Sequence, residues 1–207
     1  MNANAAFWDR IAPKYAADPI KDLAAYEYTL GRTRSYLTGQ ERGLELGCGT
    51  GSTALLLAPF MRHLTATDIS PAMVDIGRAK AGAAGVGNIT FAVAEAESAT
   101  PEGAPFDVVF AHNLLHLAAD PKAALAHIHG LVRPGGLFIS KTACLQGWWR
   151  AMALPVALMR LVGRAPAVRF FSTAWLEKAV REQGFDIVES GDFPRSPPRR
   201  YIVARRR

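Results

Sequence analysis

The sequence predicts an α/β domain built on a doubly wound, mainly parallel sheet. Three observations carry that expectation. Short apolar runs alternate with helical stretches between residues 43 and 140, the order that βαβ units produce. A glycine turn, Gly47-Cys48-Gly49-Thr50-Gly51, joins the first run to the first helix of that series. The run 106–110 is nearly unbroken in apolar residues, as expected of a strand buried on both faces.

The elements follow in order. Residues 3–15 and 23–37 read as helices, and residues 1–40 form an N-terminal helical cap. Residues 43–46 are the first strand, and a helix over 52–60 follows the glycines. Residues 63–67 form a second strand. Ser70 caps the next helix and Pro71 fits its first turn, with the helix running to residue 84. Strands over 89–93 and 106–110 come next. Asp120 caps a helix opened by Pro121 and ending near residue 132; Pro134-Gly135-Gly136 then turns into a strand over 137–140. Residues 142–171 carry no strand signal and mix apolar with basic residues, among them Trp148, Trp149, Leu154, Leu158, Arg150, Arg160, Arg164 and Arg169. By position they lie over the crevice at the strand ends, and we read them as a helical lid inserted before the last long helix. Ser172 caps that helix, which runs through residue 183, and Gly184 stops it. Residues 185–189 and 201–204 are late strands, with a proline-bearing loop (Pro194, Pro197, Pro198) between them.

Composition narrows the function classes. A chain of 207 residues suits one domain spanning 1–207, and 50% apolar with 20% charged residues is ordinary for a globular core. Two cysteines, Cys48 and Cys144, make no disulfide framework and no zinc spacing, so a reducing, cytoplasmic setting is expected and no metal. No signal peptide and no transmembrane stretch is evident. The formal net charge is +6, and Arg199, Arg200, Arg205, Arg206 and Arg207 crowd the C-terminus. A basic surface attracts nucleic acid, anionic lipid or an acidic substrate, but the expected reading is a solvated basic tail.

The glycine turn has a plain physical use. Glycine permits the sharp bend and the close approach of a ligand to the backbone. The nicotinamide-type pattern G-x-G-x-x-G fails, because Ser52 stands where the third glycine belongs. Glu45 sits two residues before the first glycine, placed to orient the loop or meet a cationic ligand. Asp68 ends the second strand, where a carboxylate can accept both hydroxyls of a ribose.

Glu45-Leu46-Gly47-Cys48-Gly49-Thr50-Gly51 resembles the first motif of class I S-adenosylmethionine-dependent methyltransferases, of the small-molecule, quinone-methylase-like kind. Thr67-Asp68-Ile69-Ser70-Pro71-Ala72-Met73 is similar to their acidic second motif. Residues 91–97, Phe106-Asp107-Val108-Val109 and Leu131-Val132-Arg133-Pro134-Gly135-Gly136 resemble the later ones. The resemblance implies a seven-stranded sheet with the last strand antiparallel, and S-adenosylmethionine as cofactor. It places Gly47, Cys48 and Gly49 along the methionine part, Asp68 on the ribose, and Ile69 and Met73 beside the adenine. It sets Glu95 and Ala96 at the adenine edge, Ala111, His112 and Asn113 near the methionine, and Tyr15 over the cofactor. Glu95 departs from the aspartate usual there.

The implied activity is methyl transfer to a small, hydrophobic or aromatic molecule. Sulfonium chemistry needs little beyond an aligned nucleophile in a dry pocket, so no catalytic residue is assigned. His112 and His116, four apart as on one helical face, are the candidates for a base. A nucleic-acid or protein methyltransferase is the alternative suggested by the charge; against it, Asn113-Leu114-Leu115-His116 is not the amino-methylase motif and no nucleic-acid module is present. A nicotinamide-dependent reductase is disfavoured by the missing glycine. A non-catalytic cofactor binder remains an option, and a basic apolar lid could also rest on a membrane surface.

Overall fold

The structure is a computed structural model, and it describes residues 3–161, 163 and 165–207. Arg164 of the predicted lid therefore lies outside the described residues. Two helices open the chain, α1 (Ala3–Ala17) and α2 (Leu23–Arg34). Strands and helices then alternate through β1 (Arg42–Leu46), α3 (Ser52–Leu57), β2 (His63–Asp68), α4 (Pro71–Ala84), β3 (Ile89–Val93), β4 (Phe106–His112), α5 (Pro121–Leu131) and β5 (Val132–Ala143). A short helix α6 (Ala153–Leu161), preceded by a tight turn of 3₁₀ helix over Gly147–Met152, leads to α7 (Thr173–Glu182), β6 (Phe185–Arg195) and β7 (Pro198–Arg206).

The seven strands form one sheet in the order β3-β2-β1-β4-β5-β7-β6. Strands β1 to β5 pair in parallel, and β7 runs antiparallel to both its neighbours. Alternate residues feed two cores. On one face Leu44, Leu46, Val109 and Phe138 pack with Leu125 and Ile128 of α5 and with Leu176 and Val180 of α7. On the other, Val108, Phe110, Ile139 and Tyr201 pack with Leu30 of α2, Leu57 of α3 and Val74 of α4. Burial on both faces explains why β4 reads as a continuous apolar run.

Local chemistry sets the helix ends. Ser70 accepts from the Met73 N–H, Asp120 from the Lys122 and Ala123 N–H groups, and Ser172 from the Trp175 N–H, each supplying a donor-rich first turn with an acceptor. Gly85 and Gly184 close α4 and α7 at positive φ.

Several expectations need correction. The second helix stops at Arg34, not 37. Thr142 and Ala143 belong to β5, because they pair with Arg200 and Arg199. Pro134-Gly135-Gly136 lies within β5 as a looped-out bulge: Phe106 pairs with Val132 and Val108 with Leu137, leaving four residues opposite Asp107. The proline-rich loop is a tight hairpin, since β6 and β7 extend to pair Arg195 with Pro198. The basic tail is no tail. Arg200 is bound by Glu177 and Asp192, Arg205 donates to the Gly135 carbonyl, Arg206 to that of Val132 and Arg207 to that of Arg181. Among the described residues no helix is long and apolar enough to cross a membrane.

Candidate cofactor and acceptor site

The strand register assembles the site. Leu46 pairs with Thr67 and Glu45 with Phe110, so Gly47, Asp68 and His112 leave the sheet side by side at its carboxyl edge. The winding reverses between β1 and β4, with α3 on one face and α5 on the other, and this opens the crevice where such sheets bind ligands. A cavity of about 540 Å³ occupies it, within the usual range for a small-molecule site.

Gly47, Gly49 and Gly51 all have positive φ, at 65°, 55° and 75°. At Gly49 this turns the N–H onto Asp68, whose Oδ2 accepts it at 2.9 Å, while Oδ1 accepts the Ser70 N–H at 2.9 Å. Each carboxylate oxygen keeps acceptor capacity for a ligand. Burial raises the Asp68 pKa; the backbone N–H donors oppose that and Glu45 reinforces it.

The N-terminal helix is tied to the same place. Asp9 accepts from the Ser70 hydroxyl at 2.5 Å and from the Ala72 N–H at 3.1 Å, a carboxylate at the positive end of α4. That anchor holds Asn4, Trp8 and Tyr15 of α1 on the cavity wall. The Trp8 and Tyr15 rings meet edge to face at 6.3 Å. Tyr15 is half-exposed, yet the protein around it desolvates the phenol and raises its pKa, with Asp68 adding to the effect.

The two histidines are not on a helix. His112 is the last residue of β4, and residues 113–119 are turns and bends, with Asn113 at φ 55°. Both residues still line the cavity. His112 Nδ1 lies 2.8 Å from Oε1 of the buried Glu45. A carboxylate accepting that proton leaves Nε2 as the free ring nitrogen. Glu45 Oε2 is buried without a partner among the described residues. His116 Nδ1 is likewise buried and unpartnered. Burial first, and the Arg199 charge second, lower the His116 pKa from 6.5 to about 4, so its ring is neutral at neutral pH.

That shift has a consequence for stability. The unfolded chain takes up a proton at His116 near pH 6.5, whereas the folded chain does so only near 4. Stability is therefore complete above 6.5 and falls as the pH drops through that window. At about 1.4 kcal/mol per unit the loss reaches about 3 kcal/mol. Urea melts from pH 7 to 4 should show a His116→Asn variant losing less stability than the parent by roughly that amount; parallel curves would contradict the assignment.

Ten of the twelve residues expected around the cofactor line the cavity: Tyr15, Gly47, Gly49, Asp68, Ile69, Met73, Glu95, Ala96, His112 and Asn113. Cys48 and Ala111 do not. Their side chains are buried in the two cores instead, because each alternates inward from a neighbour that faces the crevice. Burial also raises the Cys48 thiol well above its ordinary pKa. Sequence reasoning missed Asn4, Trp8, Pro166 and Val168, and placed Arg199 in the tail, although all five line the cavity.

The segment between β5 and α7 touches the cavity through Pro166 and Val168 alone among its described residues. Its base is fastened nearby: the Arg169 N–H donates to the His116 carbonyl at 2.7 Å, and the Arg10 guanidinium donates to that of Gly163. Helix α6 itself is not a packed core helix. Its Leu154 and Leu158 are 70% and 56% exposed, and Trp148 of the preceding turn is 73% exposed.

Comparison with known proteins agrees with this architecture. Residues 44–136 match the family described as a methyltransferase domain. The matched residues and the strand order resemble a class I S-adenosylmethionine-dependent methyltransferase domain. It is 32% identical over 202 residues to the polyketide synthase ThaG of Burkholderia thailandensis, a match covering 83% of this chain and 3% of that protein. A ubiquinone biosynthesis O-methyltransferase of Xanthomonas euvesicatoria pv. vesicatoria is 31% identical over 139 residues, covering 65% of this chain and 55% of that one. Thus the chain spans about half the length of the Xanthomonas enzyme and a small fraction of the synthase. A magnesium protoporphyrin IX methyltransferase from Synechocystis PCC 6803, solved with bound S-adenosylhomocysteine, has the same fold. Its TM-score is 0.72 at 19% identity, covering 99% of this chain and 96% of that chain.

Proposed function

We propose that this chain transfers a methyl group from S-adenosylmethionine to a small, hydrophobic or aromatic molecule. The cavity carries this reading, because its lining joins two kinds of chemistry. The glycine loop and the carboxylates of Asp68 and Glu95 share it with the apolar side chains of Trp8, Leu114, Leu117, Pro166 and Val168. The residues fit the cofactor. Gly47 and Gly49 line the cavity with backbone alone, and Asp68 keeps acceptor capacity. Gly47 and Gly49 would border its methionine part, Asp68 would hold the ribose, and Ile69 and Met73 would flank the adenine. When bound, the cofactor supplies an activated methyl group. The protein's part is to align the acceptor and exclude water, with Trp8, Tyr15 and the 144–171 segment as cover.

His112 is placed to orient groups at the methionine end through its bond to Glu45. The test is transfer of labelled methyl from S-adenosylmethionine into a host extract split into lipid-soluble, small polar, nucleic-acid and protein fractions. Label in a small-molecule fraction is expected, and the lipid-soluble one matches the apolar wall. Label confined to macromolecules would overturn the reading.

A further inference from the structure

The parallel strands bring their last residues to the crevice, but β7 runs the other way, so it brings its first. Arg199 is the second residue of β7, paired with Ala143 at the end of β5, and it lines the cavity. Its guanidinium makes no ion pair or hydrogen bond with any described residue. By contrast Arg200, the next residue, is fully engaged by Glu177 and Asp192. Arg199 acts on its surroundings only as a charge, felt at Tyr15, His116 and Lys141. Lys141 is committed elsewhere, donating to the Ala25 carbonyl and the Thr29 hydroxyl. His116 faces the same wall with a buried, unpartnered Nδ1.

Strand order sets the Arg199 backbone apart from the strands proposed to hold the cofactor. Along the sheet edge the order is β2 with Asp68, β1 with Gly47, β4 with His112, then β5, then β7 with Arg199. At roughly 4.8 Å per strand, the Arg199 backbone lies about 14 Å beyond the glycine loop and about 19 Å from Asp68. Leu114, Leu117 and Val168 give the same cavity an apolar lining. A guanidinium left without a carboxylate beside such a lining is matched by a ligand with an apolar body and an anionic oxygen group.

We infer that the methyl acceptor carries a carboxylate-like anion, bound by Arg199 with His116 beside it, on the β7 side of the cavity. This rests on the methyltransferase reading and adds the acceptor's charge class. Arg199 is a specificity residue in this account, and it leaves the cofactor untouched.

The experiment is calorimetric titration of the chain saturated with S-adenosylhomocysteine. The probes are matched pairs, benzoate and benzamide, cinnamate and cinnamamide, decanoate and decanamide, with inorganic phosphate as a separate arm. At least one acid should bind about 10- to 100-fold more tightly than its amide, as expected when a charged hydrogen-bonded pair is lost. Arg199→Gln should erase that preference while S-adenosylhomocysteine affinity stays within twofold and the thermal melt is unchanged. Acids that bind no better than their amides, or a preference that survives Arg199→Gln, would overturn the inference. So would a variant that loses S-adenosylhomocysteine affinity instead, since Arg199 would then serve the cofactor's own carboxylate. Tighter binding of phosphate than of every acid would also overturn the carboxylate assignment. If the parent chain fails to bind S-adenosylhomocysteine at all, the methyltransferase reading fails first, and the two failures are distinct.

Discussion

An Asp68→Ala variant is expected to bind S-adenosylhomocysteine about 100- to 1,000-fold more weakly than the parent chain, because two hydrogen bonds to an ionised carboxylate are lost together. The carboxylate also receives the Gly49 and Ser70 N–H groups, so its removal frees the glycine loop and the first turn of α4. Calorimetry measures the affinity, and circular dichroism confirms that the fold survives. The pH dependence follows from the same residue. Burial raises the Asp68 pKa above its ordinary 3.8, and the ionised form is the one that accepts hydrogen bonds. Affinity should therefore fall, as pH drops, at a higher pH than an exposed aspartate would dictate, and Asp68→Asn should remove that step. An alanine variant that binds normally would remove Asp68 from the site.

Gly51→Ala should destabilise the fold by about 2–4 kcal/mol. Two costs combine there. The residue sits at φ 75°, a left-handed conformation that a Cβ disfavours by roughly 1–2 kcal/mol. The added carbon would also stand 2.8 Å from Cε1 and Cζ of Phe91 and 3.3 Å from the Gly77 backbone. Phe91 is buried between α4 and the loop, where a ring has little room to yield. Gly85→Ala is the control. Its φ is 65° but nothing lies within 4 Å of the new carbon, so only the conformational cost of roughly 1 kcal/mol applies. Denaturant melts that show equal losses at the two positions would refute the packing argument.

The parallel half of the fold was legible because its signals are local. Each of Ser70, Asp120 and Ser172 caps the helix that follows it, and the caps announce themselves in the sequence. Gly47 and Asp68 were legible for a related reason: in a parallel sheet a site residue follows its strand directly. The antiparallel strand reverses that rule. Arg199 precedes an apolar strand, next to Arg200, and nothing local separates a cavity cation from one locked to Glu177. The spacing of His112 and His116 suggested a helix, yet a strand runs through the first and a turn carries the second. Their convergence on one wall comes from tertiary structure. Helix α6 belongs to neither core: Leu154 and Leu158 are exposed.

The most direct test of the account is a crystal structure of the chain grown with S-adenosylhomocysteine. The ligand should lie in the cavity at the carboxyl edge, with both ribose hydroxyls on the Asp68 carboxylate. The adenine should lie against Ile69 and Met73, and the sulfur should face the apolar wall that leads toward Arg199. Density for the ligand elsewhere, or a ribose that does not touch Asp68, would contradict it.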